Sequence, residues 1–103
     1  MDAKQAFSLG VKFLERNEVE MAALAFSQAI VLDPNSAQAF NGRSVAFAMK
    51  DDLAKALADC EEAIRLDPHD PEFYRTRGHV YIRMGRDDDG AADFAKADHL
   101  DGA

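Results

Sequence analysis

The chain has 103 residues, 48% of them hydrophobic, and a formal net charge of −7. That length supports one small domain with a modest core. The acidic balance argues against general affinity for nucleic acid or for anionic lipid, since both reward basic surfaces.

The first unit, residues 3–36, places Ala6, Leu9, Gly10 and Phe13 at i, i+3, i+4 and i+7, the spacing of an amphipathic helix. A break follows near Asn17, whose pairing with Glu20 resembles a capping box. Ala22, Phe26, Ala29 and Ile30 then predict a second helix, which Pro34 ends. Residues 37–70 repeat the scheme with Phe40 and Phe47, a break at Asp51-Asp52, then Ala56, Cys60, Ala63 and Ile64, ending at Pro68. Residues 71–103 open on Asp70-Pro71-Glu72, a strong helix start, and carry Tyr74 and Tyr81. They break over Gly85 to Asp88 and resume with Gly90, Phe94 and Ala97. The period is visible directly: "AIVLDPNS" returns as "AIRLDPHD", and the chain ends on a degraded copy, "ADHLDGA". Six antiparallel helices and no strand are expected.

The recurring columns of bulky aromatic, Leu-Gly, Tyr, Ala, Phe and Pro positions resemble the tetratricopeptide repeat, a helix–turn–helix unit. "LGVKF" with Ala22, Phe26 and Pro34 carries the likeness in the first unit, and "RGHVY" with Phe94 in the third. Departures are Arg43-Ser44 for Leu-Gly, Cys60 for Phe and Ala6 for the leading aromatic. The resemblance implies an all-α, right-handed superhelix of three stacked helix pairs, with the first helix of each pair lining a concave groove. Asp98 then stands in the column of Ile30 and Ile64, which would pack on a following unit, so the last helix reads as an end cap. The family's two-carboxylate clamp for acidic chaperone tails falls here on Phe7, Val11, Gly42, Glu72 and Thr76. None matches the clamp, so it does not carry over.

Chemistry is sparse. "DDDG" at Asp87 to Gly90 lacks the alternating ligands of a calcium loop and reads as favourable charge at a helix start. His69, His79 and His99 have no partners at metal spacing, and the lone Cys60 reads as a small buried hydrophobe. No nucleophile elbow or phosphate-binding glycine loop is present, so neither an enzyme nor a metal or cofactor is expected. No apolar run reaches the ~18 residues of a membrane span, and "MDAKQAF" does not read as a signal peptide. A cytoplasmic protein with a protein partner is the expectation, without nucleic acid or membrane.

The groove would be lined by Phe7, Val11 and Leu14, then Asn41, Val45, Ala48 and Met49, then Arg75, His79, Ile82 and Arg83. Arg75, His79 and Arg83 recur every four residues, one face of one helix, and could read acidic groups of a bound peptide. A solvated charged face is the competing explanation, as neighbour packing is for Phe7 and Val11. Gly42, inside a helix, fits either a close ligand backbone or neutral drift. Arg43 and Arg77 align and read as structural residues lying between helices. The reading is a peptide-binding module, with apolar anchors at Phe7, Val11, Val45 and Met49 beside Asn41. The alternative is a homo-oligomer associating through the apolar first helix.

Overall fold

Helix starts and stops are set by local chemistry, and they divide the chain into six helices. The computed structural model describes residues 1–102. The helices are α1 (Ala3–Glu15), α2 (Val19–Leu32), α3 (Ala37–Met49), α4 (Leu53–Leu66), α5 (Pro71–Arg83) and α6 (Asp87–Gly102). No strand occurs among the described residues.

Side chains hold several N-termini. Asp2 and Gln5 form a reciprocal capping box on α1, with Gln5 N donating to Asp2 Oδ1 at 2.8 Å and Asp2 N donating to Gln5 Oε1 at 2.9 Å. Ser36 caps α3, Asp52 caps α4, and Asp70 caps α5 with Pro71 in its first turn. The expected box of Asn17 and Glu20 does not form. Asn17 instead occupies the left-handed region at φ 58°, and Glu18, the N-cap residue of α2, makes no side-chain cap bond. Asp51 at φ 63° and Gly85 at φ 80° hold the equivalent turn positions. Asn, Asp and Gly are the residues that tolerate this conformation most readily, so the column encodes a tight inter-helix turn.

The three pairs α1–α2, α3–α4 and α5–α6 each pack most extensively on themselves, and then on the next pair through α2–α3 and α4–α5. The result is a superhelix of stacked helix pairs measuring 39 × 28 × 20 Å. Its core is made of small residues around a few large ones. Ala6, Ala22, Ala39, Ala46, Ala56, Ala63 and Ala97 are wholly buried, as are Phe26, Cys60 and Phe73. Phe26 is the wedge between the first two pairs. A Cβ added to Gly10 or to Gly42 would lie 2.6 Å from its ring, so α1 and α3 both approach the ring through glycine. Gly42 is therefore a packing residue rather than a ligand approach or a product of drift.

Arg43 and Arg77 each fork onto a buried aspartate of the following helix. Arg43 reaches Asp59 at 2.8 and 2.9 Å, and Arg77 reaches Asp93 at 2.8 Å through both nitrogens. Each guanidinium also lies over two aromatic rings of its own helix, Phe40 and Phe47 for Arg43, Tyr74 and Tyr81 for Arg77. The first pair has Leu9 and Ala25 at these positions and so has no equivalent fork.

Candidate functional site

The concave wall is built by α1, α3 and α5, because each contributes a side-chain stripe one step round from its core stripe. Between α3 and α5 it opens into a cleft of about 240 Å³ lined by Val45, Ala48, Met49, Thr76, His79 and Val80, with Glu72 and Arg83 on its borders. Val80 is almost wholly buried and Met49 is 44% exposed, so the cleft has an apolar floor with an unbranched, adaptable thioether side chain at its edge. Glu72 and Arg83 stand eleven residues apart on α5, about 16 Å along the helix axis. The cleft thus offers apolar burial in the middle and opposite charge at its two ends.

Of the sequence-predicted groove residues, Val45, Ala48, Met49, His79 and Arg83 come together in this cleft. The others lie outside its lining. Phe7 is half-buried, its ring 5.6 Å from that of Phe26, and it borders a separate cleft of about 410 Å³ with Ala3, Lys4, Ser8, Asp33, Ser36 and Gln38. Val11 is 36% exposed on the same helix. Asn41 buries its Oδ1 without a hydrogen-bond partner among the described residues. Arg75 is held by Glu72 and by Asp101 at the end of α6.

The cations of α5 are therefore already committed. Arg83 donates to the Ala48 carbonyl and, at 3.0 Å, to Asp51 Oδ1. His79 sets its ring edge against Phe94, with centroids 4.9 Å apart. Arg75 bonds an acid of α6 and Arg83 one of the α3–α4 turn, so the expected ridge of Arg75, His79 and Arg83 is divided between neighbours.

Two further features were not anticipated from the sequence. The Arg–Asp forks join residues sixteen positions apart, recurring at the repeat period. The apolar surplus expected on α1 lies largely on α2, where Met21, Leu24 and Val31 are 48%, 65% and 73% exposed along one outer face. The equivalent positions are Lys55, Ala58 and Arg65 on α4, and Asp89, Ala92 and His99 on α6. Aligning the repeats column by column exposes that contrast.

Cys60 is inert. Its thiol is buried, donates to the Leu57 carbonyl at 3.3 Å, and has a pKa pushed up to about 11, chiefly by desolvation and against the opposing hydrogen bond with Ser44. No group of three or more His, Cys, Asp or Glu side chains able to hold a metal occurs among the described residues. No described helix is long and apolar enough to cross a membrane.

The sequence matches the tetratricopeptide repeat family over residues 7–71. It is 37% identical over 95 residues to Tetratricopeptide repeat protein 36 of Homo sapiens, covering 88% of this chain and 50% of that protein. The Xenopus tropicalis protein of the same name is 35% identical over 95 residues, covering 88% of this chain and 47% of its own length. The chain thus spans about half the length of these relatives. Among solved structures, the first TPR of Spaghetti (RPAP3) bound to HSP90 peptide SRMEEVD is similar with a TM-score of 0.92 at 19% identity, covering 96% of this chain and 79% of that one. The Sgt2 TPR domain from Aspergillus fumigatus reaches 0.93 at 21% identity, covering 97% and 66%.

Proposed function

This chain belongs to the tetratricopeptide repeat family, and from that premise we propose that it is a non-enzymatic interaction module holding a peptide segment of another protein in its concave groove. The observation that carries the reading is the cleft between α3 and α5, an apolar floor of Val45, Ala48, Met49 and Val80 bordered by Arg83. Such a hollow takes one apolar side chain of an extended or helical ligand, while a charged border fixes its direction. A guanidinium has five donors, so Arg83 retains donors for a ligand carboxylate after bonding Ala48 and Asp51.

A structural neighbour is bound to an HSP90 peptide, which supports the binding mode in general. The terms of recognition differ here. Gly42 is occupied by Phe26, and Thr76 is buried with its hydroxyl donating to the Glu72 carbonyl at 3.1 Å. Glu72 repels a carboxylate at that end of the cleft. An acidic group of the ligand accordingly sits toward Arg83, with the apolar anchor between it and Glu72.

Selection of random peptides on the immobilised chain, followed by titration of the winners, tests this. Selected peptides should pair an apolar side chain with Asp, Glu or a free C-terminal carboxylate. Met49→Asp and Arg83→Glu should each weaken them at least about tenfold, roughly 1.4 kcal/mol. Arg83→Glu should also flatten the salt dependence, while Leu24→Glu on the outer face of α2 should leave affinity unchanged. Winners that bind both groove variants as well as the parent would refute the groove reading.

A further inference from the structure

The cleft of about 410 Å³ between α1 and α3 opens on the same concave wall as the one between α3 and α5. Lys4 and Gln38 in its lining share the column of Glu72, and Ser8 shares that of Thr76. It lies at the junction of the first two repeats rather than on an end face of the stack. Its apolar surface comes from Ala3, from the stems of Lys4 and Gln38, and from the half-buried Phe7 ring, which Phe26 backs at 5.6 Å. A second apolar side chain can therefore seat here.

The two clefts lie on opposite sides of α3 and at different heights along it. Gln38 borders the first and Val45 the second, and seven positions of helix span about 10 Å. Crossing α3 adds about one inter-helix spacing, roughly 10 Å. The diagonal is about 14 Å, or four residues of extended chain at about 3.3 Å each. Residues i and i+4 of an extended chain project to the same side, so both reach the wall. A helical ligand covers that distance in about nine residues, by which its side chains have turned to the opposite face.

Asn41 stands on the line between the clefts, three residues after Gln38 and four before Val45, on one face of α3. It is half-buried, and its Oδ1 is buried without a hydrogen-bond partner among the described residues. No partner pins that oxygen, so the amide gains by turning to a ligand that supplies one. An extended backbone exposes unpaired N–H and C=O groups, whereas a helix has already satisfied its own.

We propose that the ligand is an extended segment that crosses α3 obliquely, with apolar side chains at positions i and i+4, one on Phe7 in the α1–α3 cleft and one on Val45 and Met49 in the α3–α5 cleft, and with its backbone hydrogen-bonded to Asn41 between them. This rests on the groove reading and narrows it, selecting an extended over a helical ligand and adding a second anchor. The acid that meets Arg83 then lies beyond the second anchor.

The probes are synthetic peptides of Gly, Ser and Ala carrying two leucines three, four or five positions apart and a Glu beyond the second, each made in both chain directions. Titration followed by the amide resonances of the labelled protein reads affinity and place together. In one direction the four-position peptide should bind at least about tenfold more tightly than the other two and move resonances around both Gln38 and Val45. Phe7→Ala should remove that advantage, and Asn41→Leu should weaken the four-position peptide about fivefold. Replacing the first leucine by glycine should also remove the advantage in the unaltered protein, which keeps the test independent of how Phe7→Ala folds. Affinity indifferent to spacing, with shifts confined to the α3–α5 cleft and abolished by Met49→Asp, overturns this inference and leaves the groove reading standing. Full affinity of the four-position peptide for Phe7→Ala or Asn41→Leu does the same. Peptides that move no groove resonance, or whose binding Met49→Asp leaves untouched, overturn both.

Discussion

Replacing Gly42 by alanine separates helix propensity from packing. The added methyl gains about 1 kcal/mol of intrinsic helix stability. It also places a carbon 2.6 Å from Cε1 and Cζ of Phe26, where carbon contacts are ordinarily about 3.5–4.0 Å. The ring cannot retreat, because the equivalent position on Gly10 is also 2.6 Å from it and the side chain is 0% exposed. The strain must open the α2–α3 interface by roughly the missing ångström, and overpacking of this kind costs about 1–3 kcal/mol. Since the ring is pinned from both sides, the upper part of that range applies, and Gly42→Ala should lose about 1–2 kcal/mol net. For a chain of this size each kcal/mol is worth about 4–8 °C in Tm. Urea unfolding followed by circular dichroism gives the value, and a Phe26→Leu background supplies the control. With the ring gone, Gly42→Ala should become neutral or stabilising, giving a coupling above about 1 kcal/mol between the two sites. Equal stabilisation by Gly42→Ala in both backgrounds would refute the wedge.

The remaining expectations concern the forks, the thiol and the outer face of α2. Arg77→Met leaves the nearly buried Asp93 carboxylate unpaired and should cost about 2–3 kcal/mol, more than Asp93→Asn, because the Arg77 side chain is 23% exposed and reaches water while Asp93 at 7% cannot. Denaturant melts that rank the two in the opposite order would contradict the burial argument. The folded Cys60 thiol holds its proton up to about pH 11, against an ordinary value of 9.0. Its contribution is therefore complete below about pH 9 and is lost as pH rises towards 11, with a slope of up to about 1.4 kcal/mol per pH unit relative to Cys60→Ala. Parallel stability–pH curves for the two proteins would remove that assignment. Leu24→Glu and Val31→Glu, exposed on α2, should each shift stability by under about 0.5 kcal/mol in thermal melts; a loss of several kcal/mol would mean that this face is covered.

The fold was legible because its determinants are local and repeated. Apolar spacing marked the helices, prolines and short polar residues marked their ends, and the period multiplied each weak signal by three. What was missed depends on meetings between distant parts of the chain. Asp59 and Asp93 are ordinary polar letters on amphipathic helices until the helix pair folds back and sets them against Arg43 and Arg77. Gly42 stands out as a glycine inside a helix, but it shares its column with Ser8 and Thr76, so the aligned repeats give no reason for it. Its reason is a ring that arrives from α2. The Asn17 turn is a different case, because Asn17, Asp51 and Gly85 form a left-handed column visible in the aligned repeats.

The groove was legible as a surface and not as a charge. Periodicity places Arg75, His79 and Arg83 on one face of α5, which is a statement about Cα positions alone. Availability depends on which acids lie within reach, and this chain has 19 acidic residues to 12 Lys and Arg. From α5 through the turn that follows it, every arginine finds an acid: Arg75 finds Glu72 and Asp101, Arg77 finds Asp93, Arg83 finds Asp51, and Arg86 finds Asp89. The exposed pairs among them are individually weak, on the order of 0–1 kcal/mol each, so they divide the ridge without sealing it. A ligand carboxylate arriving at Arg83 displaces or shares a partner that costs little to lose, and does so beside the apolar floor of Val45, Met49 and Val80. At Arg75 it would have to compete with two acids, and it would gain no contact with that cleft's lining. The acidic preference proposed for the groove therefore narrows to its Arg83 end, where one salt-sensitive contact and one buried side chain would act together.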